Sequence, residues 1–194
     1  MSGFKTVLLP TDFHHDDARA LEYAWSLTGD DGRTVILHVG DREASTPAGR
    51  TAAETMELLL AKARPHGMRV EGQFRTGDFF PEIIAAIKEN RADVVIVSAS
   101  RRTMVDRLII PSHYNDLVRK APVPVMAVTT PPPEESERLC VPHVKRIMCP
   151  QDETDFARAA LPLAAQLAAH YGAELFMVNV SDRVKPDDRA GRRG

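Results

Sequence analysis

The chain has little of what marks the specialised classes of protein. Two cysteines among 194 residues, Cys140 and Cys149, exclude a disulfide framework and a C-x-x-C pair, and both read as ordinary reduced thiols. Basic charge is not in surplus: 25 Lys and Arg stand against 27 Asp and Glu. A nucleic-acid binder needs clustered cations to neutralise phosphates. No apolar run approaches the roughly 20 residues that span a bilayer. Val7-Leu8-Leu9, stopped by Pro10, is too short for the core of a signal peptide. The G-x-S-x-G elbow, the G-x-x-x-x-G-K-[ST] loop and the H-E-x-x-H pair are all missing from the sequence, so catalysis finds no support there. A composition of 43% hydrophobic and 27% charged residues fits a folded soluble chain. The expectation is a cytoplasmic protein that is not an enzyme and binds neither membrane nor nucleic acid.

What is present is periodic. Val7–Leu9, Val35–Leu37, a weaker Met68–Phe74, Val94–Val97 and Val123–Val128 are short apolar runs. Most are continuous rather than alternating, which suits a parallel sheet covered on both faces. Between them, Ala20, Leu21, Ala24 and Leu27 mark one helical stripe, and Met56, Leu59, Leu60 and Ala63 another. Ile83, Ile84 and Ile87 follow Pro81, a residue tolerated in a first helical turn. Leu117 and Val118 belong to a shorter helix ending before Pro122. The alternation predicts a doubly wound α/β domain over residues 3–130. The stretch 131–142, opening with Pro131-Pro132-Pro133, reads as a stiff linker.

After the linker the beginning repeats. Adding 140 pairs Lys5 with Lys145, Pro10 with Pro150, Asp12 with Asp152, Ala20 with Ala160 and Leu27 with Leu167. One inserted residue later, Val39-Gly40-Asp41-Arg42 pairs with Val180-Ser181-Asp182-Arg183. Residues 143–183 therefore read as a partial second unit of strand, helix and strand, and 184–194 as a disordered tail. A lone βαβ unit buries too little surface to stand by itself. Its apolar residues, Met148 and Phe176 among them, are expected to meet either the first sheet or another chain.

In open α/β sheets, ligands bind beyond the carboxyl ends of the strands. Pro10-Thr11-Asp12 and Val97-Ser98 mark two such ends. Asp12 suits an adenine amino group or a ribose hydroxyl, and equally suits the cap of the following helix. His14, His15, Asp16 and Asp17 are metal-ligating types. Adjacent histidines point apart, however, and the two acids serve the first turn of a helix, so no metal is expected. His38 reads as a partly buried packing residue, and Trp25 lies at the edge of its helical stripe.

Three stretches, VLLPTDFHHDDARALEYAWSL, ADVVIVSASRRTMVDRLIIPSHYNDLVRKAPVPVMAV and IMCPQDETDFARAALPLAAQL, resemble the universal stress protein family. The resemblance implies a five-stranded parallel sheet in the order 3-2-1-4-5. It also implies a homodimer through the fifth strand, here Val123–Val128, with the C-terminal fragment adding contact area. Nucleotide-binding members carry G-x-x-G-x9-G-[ST] between the fourth strand and the last helix. Counting back from Ala121-Pro122 puts Arg101, Met104 and Pro111 at the glycines and Ser112 at the hydroxyl, while Ser98 stands at a glycine that often precedes the loop. Glycines there permit positive φ and let phosphate reach bare N–H groups. Two side chains and a proline without an N–H obstruct that approach. Arg101, Arg102 and Arg107 either supply charge from side chains or are solvated surface.

By the same resemblance Pro10, Asp12 and Val39 keep the positions that contact a nucleoside, with Thr11, Val97 and Ser98 beside them and Arg101 and Ser112 towards the phosphates. The leading expectation is a non-enzymatic stress-response regulator that acts by dimerising and presenting a surface to a protein partner, its nucleotide loop degenerate. The alternative is a sensor of ATP or AMP with a modified pocket.

Overall fold

The computed structural model describes residues 4–13, 17–28, 31–46, 49–99, 112–129, 141–152 and 154–179, with 112–115 and 156 described by backbone alone. The chain divides after Pro142 into two units. In the first, β1 (Thr6–Thr11), β2 (Arg33–Val39), β3 (Val70–Arg75), β4 (Val94–Ala99) and β5 (Val125–Thr129) form one parallel sheet in the order β3-β2-β1-β4-β5. Helices α1 (Ala18–Thr28), α2 (Ala52–Ala63), α3 (Phe79–Asn90) and α4 (Ser112–Lys120) connect them. Right-handed crossovers send α1 and α2 to one face, and α3 and α4 to the other.

The pleat decides which side chain meets which layer. Leu8, Val35, Leu37, Val95 and Val97 are buried against Ile83, Ala86 and Ile87 of α3 and Leu117 of α4. The intervening residues, Leu9, Thr11, Ile36, His38, Ile96 and Ser98, therefore face α1 and α2. Every residue of β1 and β4 is buried, as befits central strands covered on both sides. β3 is an edge strand and only half-buried, which is why its apolar run is weak in the sequence. Helix α2 opens on a capping box: Thr51 Oγ1 accepts from Glu54 N–H, and the Glu54 carboxylate accepts from Thr51 N–H, an arrangement that contributes about 1 kcal/mol.

Several strand ends differ from the sequence reading. β3 runs to Arg75 because His38 and Val39 continue the ladder with Phe74 and Arg75. β4 extends to Ala99 and β5 to Thr129 because Ser98 pairs with Val128 and Ala99 with Thr129. Pro10, Thr11, Val97 and Ser98 thus all lie inside strands. β1 keeps register with β2 through Thr11, but with β4 only at Val7–Val94 and Leu8–Val95. Pro10 has no N–H for a ladder, and the seam between β1 and β4 parts two residues before it. That is where the strand order reverses.

The second unit comprises β6 (Arg146–Gln151), α5 (Asp155–Tyr171) and β7 (Glu174–Asn179), with β6 and β7 forming a parallel sheet of their own. Thr154 Oγ1 caps α5 by accepting from Ala157 N–H at 3.2 Å, and Gly172 ends it with φ 62°, the left-handed turn that favours glycine. Cys149 is buried in β6. The stretch 131–140 of the linker, Cys140, Val180–Arg183 and the tail lie outside the described residues. No helix among the described residues is long and apolar enough to cross a membrane.

Candidate functional site

Where β1 and β4 part, one carboxylate joins them. Asp17 stands at the N-cap position of α1, its backbone carbonyl accepting the Leu21 N–H at 2.9 Å. Its side chain turns back under the helix. Ser98 Oγ on β4 donates to Asp17 Oδ1 at 2.6 Å, and Thr11 Oγ1 on β1 donates to Oδ2. Thr11, Asp17 and Ser98 are only 1%, 4% and 4% exposed. A buried carboxylate is costly unless hydrogen-bonded, and here two hydroxyls and the positive end of α1 compensate it. The cap role that the sequence leaves open for Asp12 belongs to Asp17, since α1 begins only at Ala18.

A second cluster adjoins the first. Thr11 Oγ1 also accepts the Phe13 N–H at 2.9 Å. That bond helps hold Phe13 at φ 58°, a left-handed conformation that is uncommon for a bulky side chain. The conformation lays the Phe13 ring on His38, centroids 4.6 Å apart at 26°, while Phe74 meets His38 edge-on at 5.8 Å. His38 Nδ1 lies 3.0 Å from the Thr11 carbonyl. A carbonyl only accepts, so Nδ1 carries the proton. Arg42 completes the stack, its guanidinium 5.0 Å from the Phe74 centroid. His38 is therefore more than packing: it ties β2 to β1 at their carboxyl ends.

The candidate residues divide between the two faces of the sheet. Thr11 and Ser98 come together through Asp17 on the side of α1 and α2. Pro10, Val39 and Val97 alternate with them and face α3 and α4. Asp12 is half-buried directly after β1. Ser112 begins α4, where only its backbone is described. Arg101, Arg102, Met104, Arg107 and Pro111 lie outside the described residues, as do His14, His15 and Asp16. Among the described residues no group of three His, Cys, Asp or Glu side chains is arranged to hold a metal ion.

Sequence reasoning missed the bridging role of Asp17. The signal was an acid one residue before a helix, in a chain whose first and fourth strands both carry a hydroxyl near their carboxyl ends. Beside the bridge, a cleft of about 470 Å³ opens between Phe13, Asp17 and α2, with Arg50, Thr55, Leu58, Leu59, Ala61 and Lys62 on its walls. The arrangement offers a closed polar floor and an aromatic wall. Both hydroxyls are engaged within the fold.

Comparison with known proteins agrees with this architecture. Residues 3–129 match the model of the universal stress protein family. A universal stress protein solved in complex with cAMP superposes with a TM-score of 0.51 at 18% identity, over 67% of this chain and 100% of that one. A universal stress protein from Archaeoglobus fulgidus gives 0.50 at 21% identity, over 63% and 97%. A functionally unknown protein from Pseudomonas aeruginosa PAO1 gives 0.67 at 18% identity over 91% of this chain, which spans 60% of that longer one. No curated protein matches the chain.

Proposed function

Because the chain belongs to the universal stress protein family, we propose that it is a non-catalytic regulatory protein whose nucleotide crevice is closed by its own side chains and which acts by self-association. The observation that carries this reading is the Asp17 bridge. A glycine at position 98 would leave backbone bare at the switch point. Ser98 instead puts a hydroxyl there and donates it to Asp17 at 2.6 Å. The same bond speaks against catalysis by Ser98, because a hydroxyl 4% exposed and donating inward is not presented to a substrate. The side chains at 101, 104 and 111 argue in the same direction. Among the described residues β5 ends the sheet order with β4 as its one neighbour and so offers an edge for a second copy, with Val125–Thr129 replacing Val123–Val128 as the pairing segment.

The second reading, an adenine-nucleotide sensor, draws on the solved universal stress protein that holds cAMP and on Asp12 beside the crevice. Thermal unfolding with and without millimolar ATP, AMP and Mg²⁺ separates the two. A ligand at 100 times its Kd stabilises by about 2.7 kcal/mol, a shift of several degrees at this chain length. The closed crevice predicts a midpoint unchanged within a degree or so. A clear shift that Asp12→Ala abolishes would replace this reading with the sensor.

A further inference from the structure

We propose that the bare face of the β6–β7 sheet is an isologous interface, packing on the same face of a second copy of the chain. The inference rests on the self-association reading above and names a surface separate from the β5 edge. Alternation puts Ile147, Cys149, Leu175 and Met177 towards α5, with Cys149 buried and Met177, on the outer strand, 65% exposed. The opposite face carries three cross-strand pairs: Arg146 with Glu174, Met148 with Phe176, and Pro150 with Val178. Met148 is 67% exposed and Phe176 47%, a large apolar display for two short strands.

The internal repeat shows what this face is built for. By the offsets of 140 and 141, Met148, Phe176, Pro150 and Val178 correspond to Leu8, Val35, Pro10 and Leu37. Those four are buried in the first unit, three of them with α3 and α4 layered on them. No described element of the second unit takes that place.

A second copy fits by charge and by shape. In a two-fold arrangement with its axis along the strands and between them, β6 of each copy lies over β7 of the other. Sheets packed about 10 Å apart interdigitate their facing side chains. Met148 then meets Phe176, Pro150 meets Val178, and Arg146 of one copy stands opposite Glu174 of the other. The two-fold makes that charge contact occur twice. The arrangement is thus self-complementary along its whole length.

The test is sedimentation velocity on the full chain across a concentration series, with circular dichroism to verify folding. Met148→Glu should raise the dissociation constant at least tenfold, the effect of losing a central contact. Arg146→Glu and Glu174→Arg should each weaken association severalfold, and the double swap should restore it. Val125→Lys tests the β5 edge independently. Association that Val125→Lys removes, but Met148→Glu and the charge swaps leave intact, overturns this interface and keeps the self-association reading. A parent chain that is monomeric throughout overturns both.

Discussion

Asp17→Ala is expected to destabilise the first unit by roughly 2–4 kcal/mol, because it strands two buried hydroxyl donors at once. The midpoint should fall by roughly 5–15 °C in a chain of this size. Ser98 and Thr11 come from strands whose mutual ladder has already ended, so other partners are not close at hand. Asp17→Asn keeps the shape and one acceptor and should cost about half as much. The cycle with Ser98→Ala isolates the bridge: the double variant should lose less than the sum of the singles, since each removes the other's partner. Chemical denaturation of the four proteins supplies the numbers. A loss below about 0.5 kcal/mol for Asp17→Ala, the range of ordinary surface changes, would show that the carboxylate is incidental to the fold.

Gly40→Ala should be the next most damaging single change at the site, at about 1–3 kcal/mol. A Cβ on Gly40 would stand 2.6 Å from His38 Nε2, closer than such atoms approach. The ring cannot easily retreat. Phe13 stacks on it, Phe74 meets it edge-on, and Nδ1 is held by the Thr11 carbonyl. Relief therefore requires moving the aromatic cluster or the end of β2. In a His38→Ala background the same Gly40→Ala change should cost little, because the clashing atom is gone. Equal costs in the two backgrounds would would place the strain elsewhere in the backbone.

Much of the architecture is legible in the residues. Continuous apolar runs announce β1, β2 and β4 because a parallel strand covered on both faces has no polar side to alternate with. The stripes of α1 to α3 follow because each helix buries one face only. β3 is faint, since Glu71, Gly72 and Gln73 sit at a half-exposed edge. The site is less legible. Thr11 and Ser98 stand out at their strand ends, but their meeting through Asp17 joins positions 81 residues apart, which no local period reports. Asp17 reads locally as a helix-terminal charge, and that is also true. The left-handed Phe13 is invisible for another reason: propensity argues against it, and only tertiary contacts stabilise it. Lys62 lines the cleft from α2 and Arg50 from just before that helix, and nothing in their neighbours announces it.

The parting of β1 from β4 bears on how the molecule breathes. Within the sheet, two register pairs, the Asp17 bridge and the hydrogen bonds of Asp93 to Lys5 and Thr6 join the trio β3-β2-β1 to the duo β4-β5, whereas β1 and β2 share six register pairs. Cooperative opening units tend to separate where such links are fewest. Amide exchange should therefore find β4 and β5 opening as one block, at lower free energy than β1 and β2. Uniform protection across all four strands would mean that the helices, rather than the sheet, set the size of the cooperative unit.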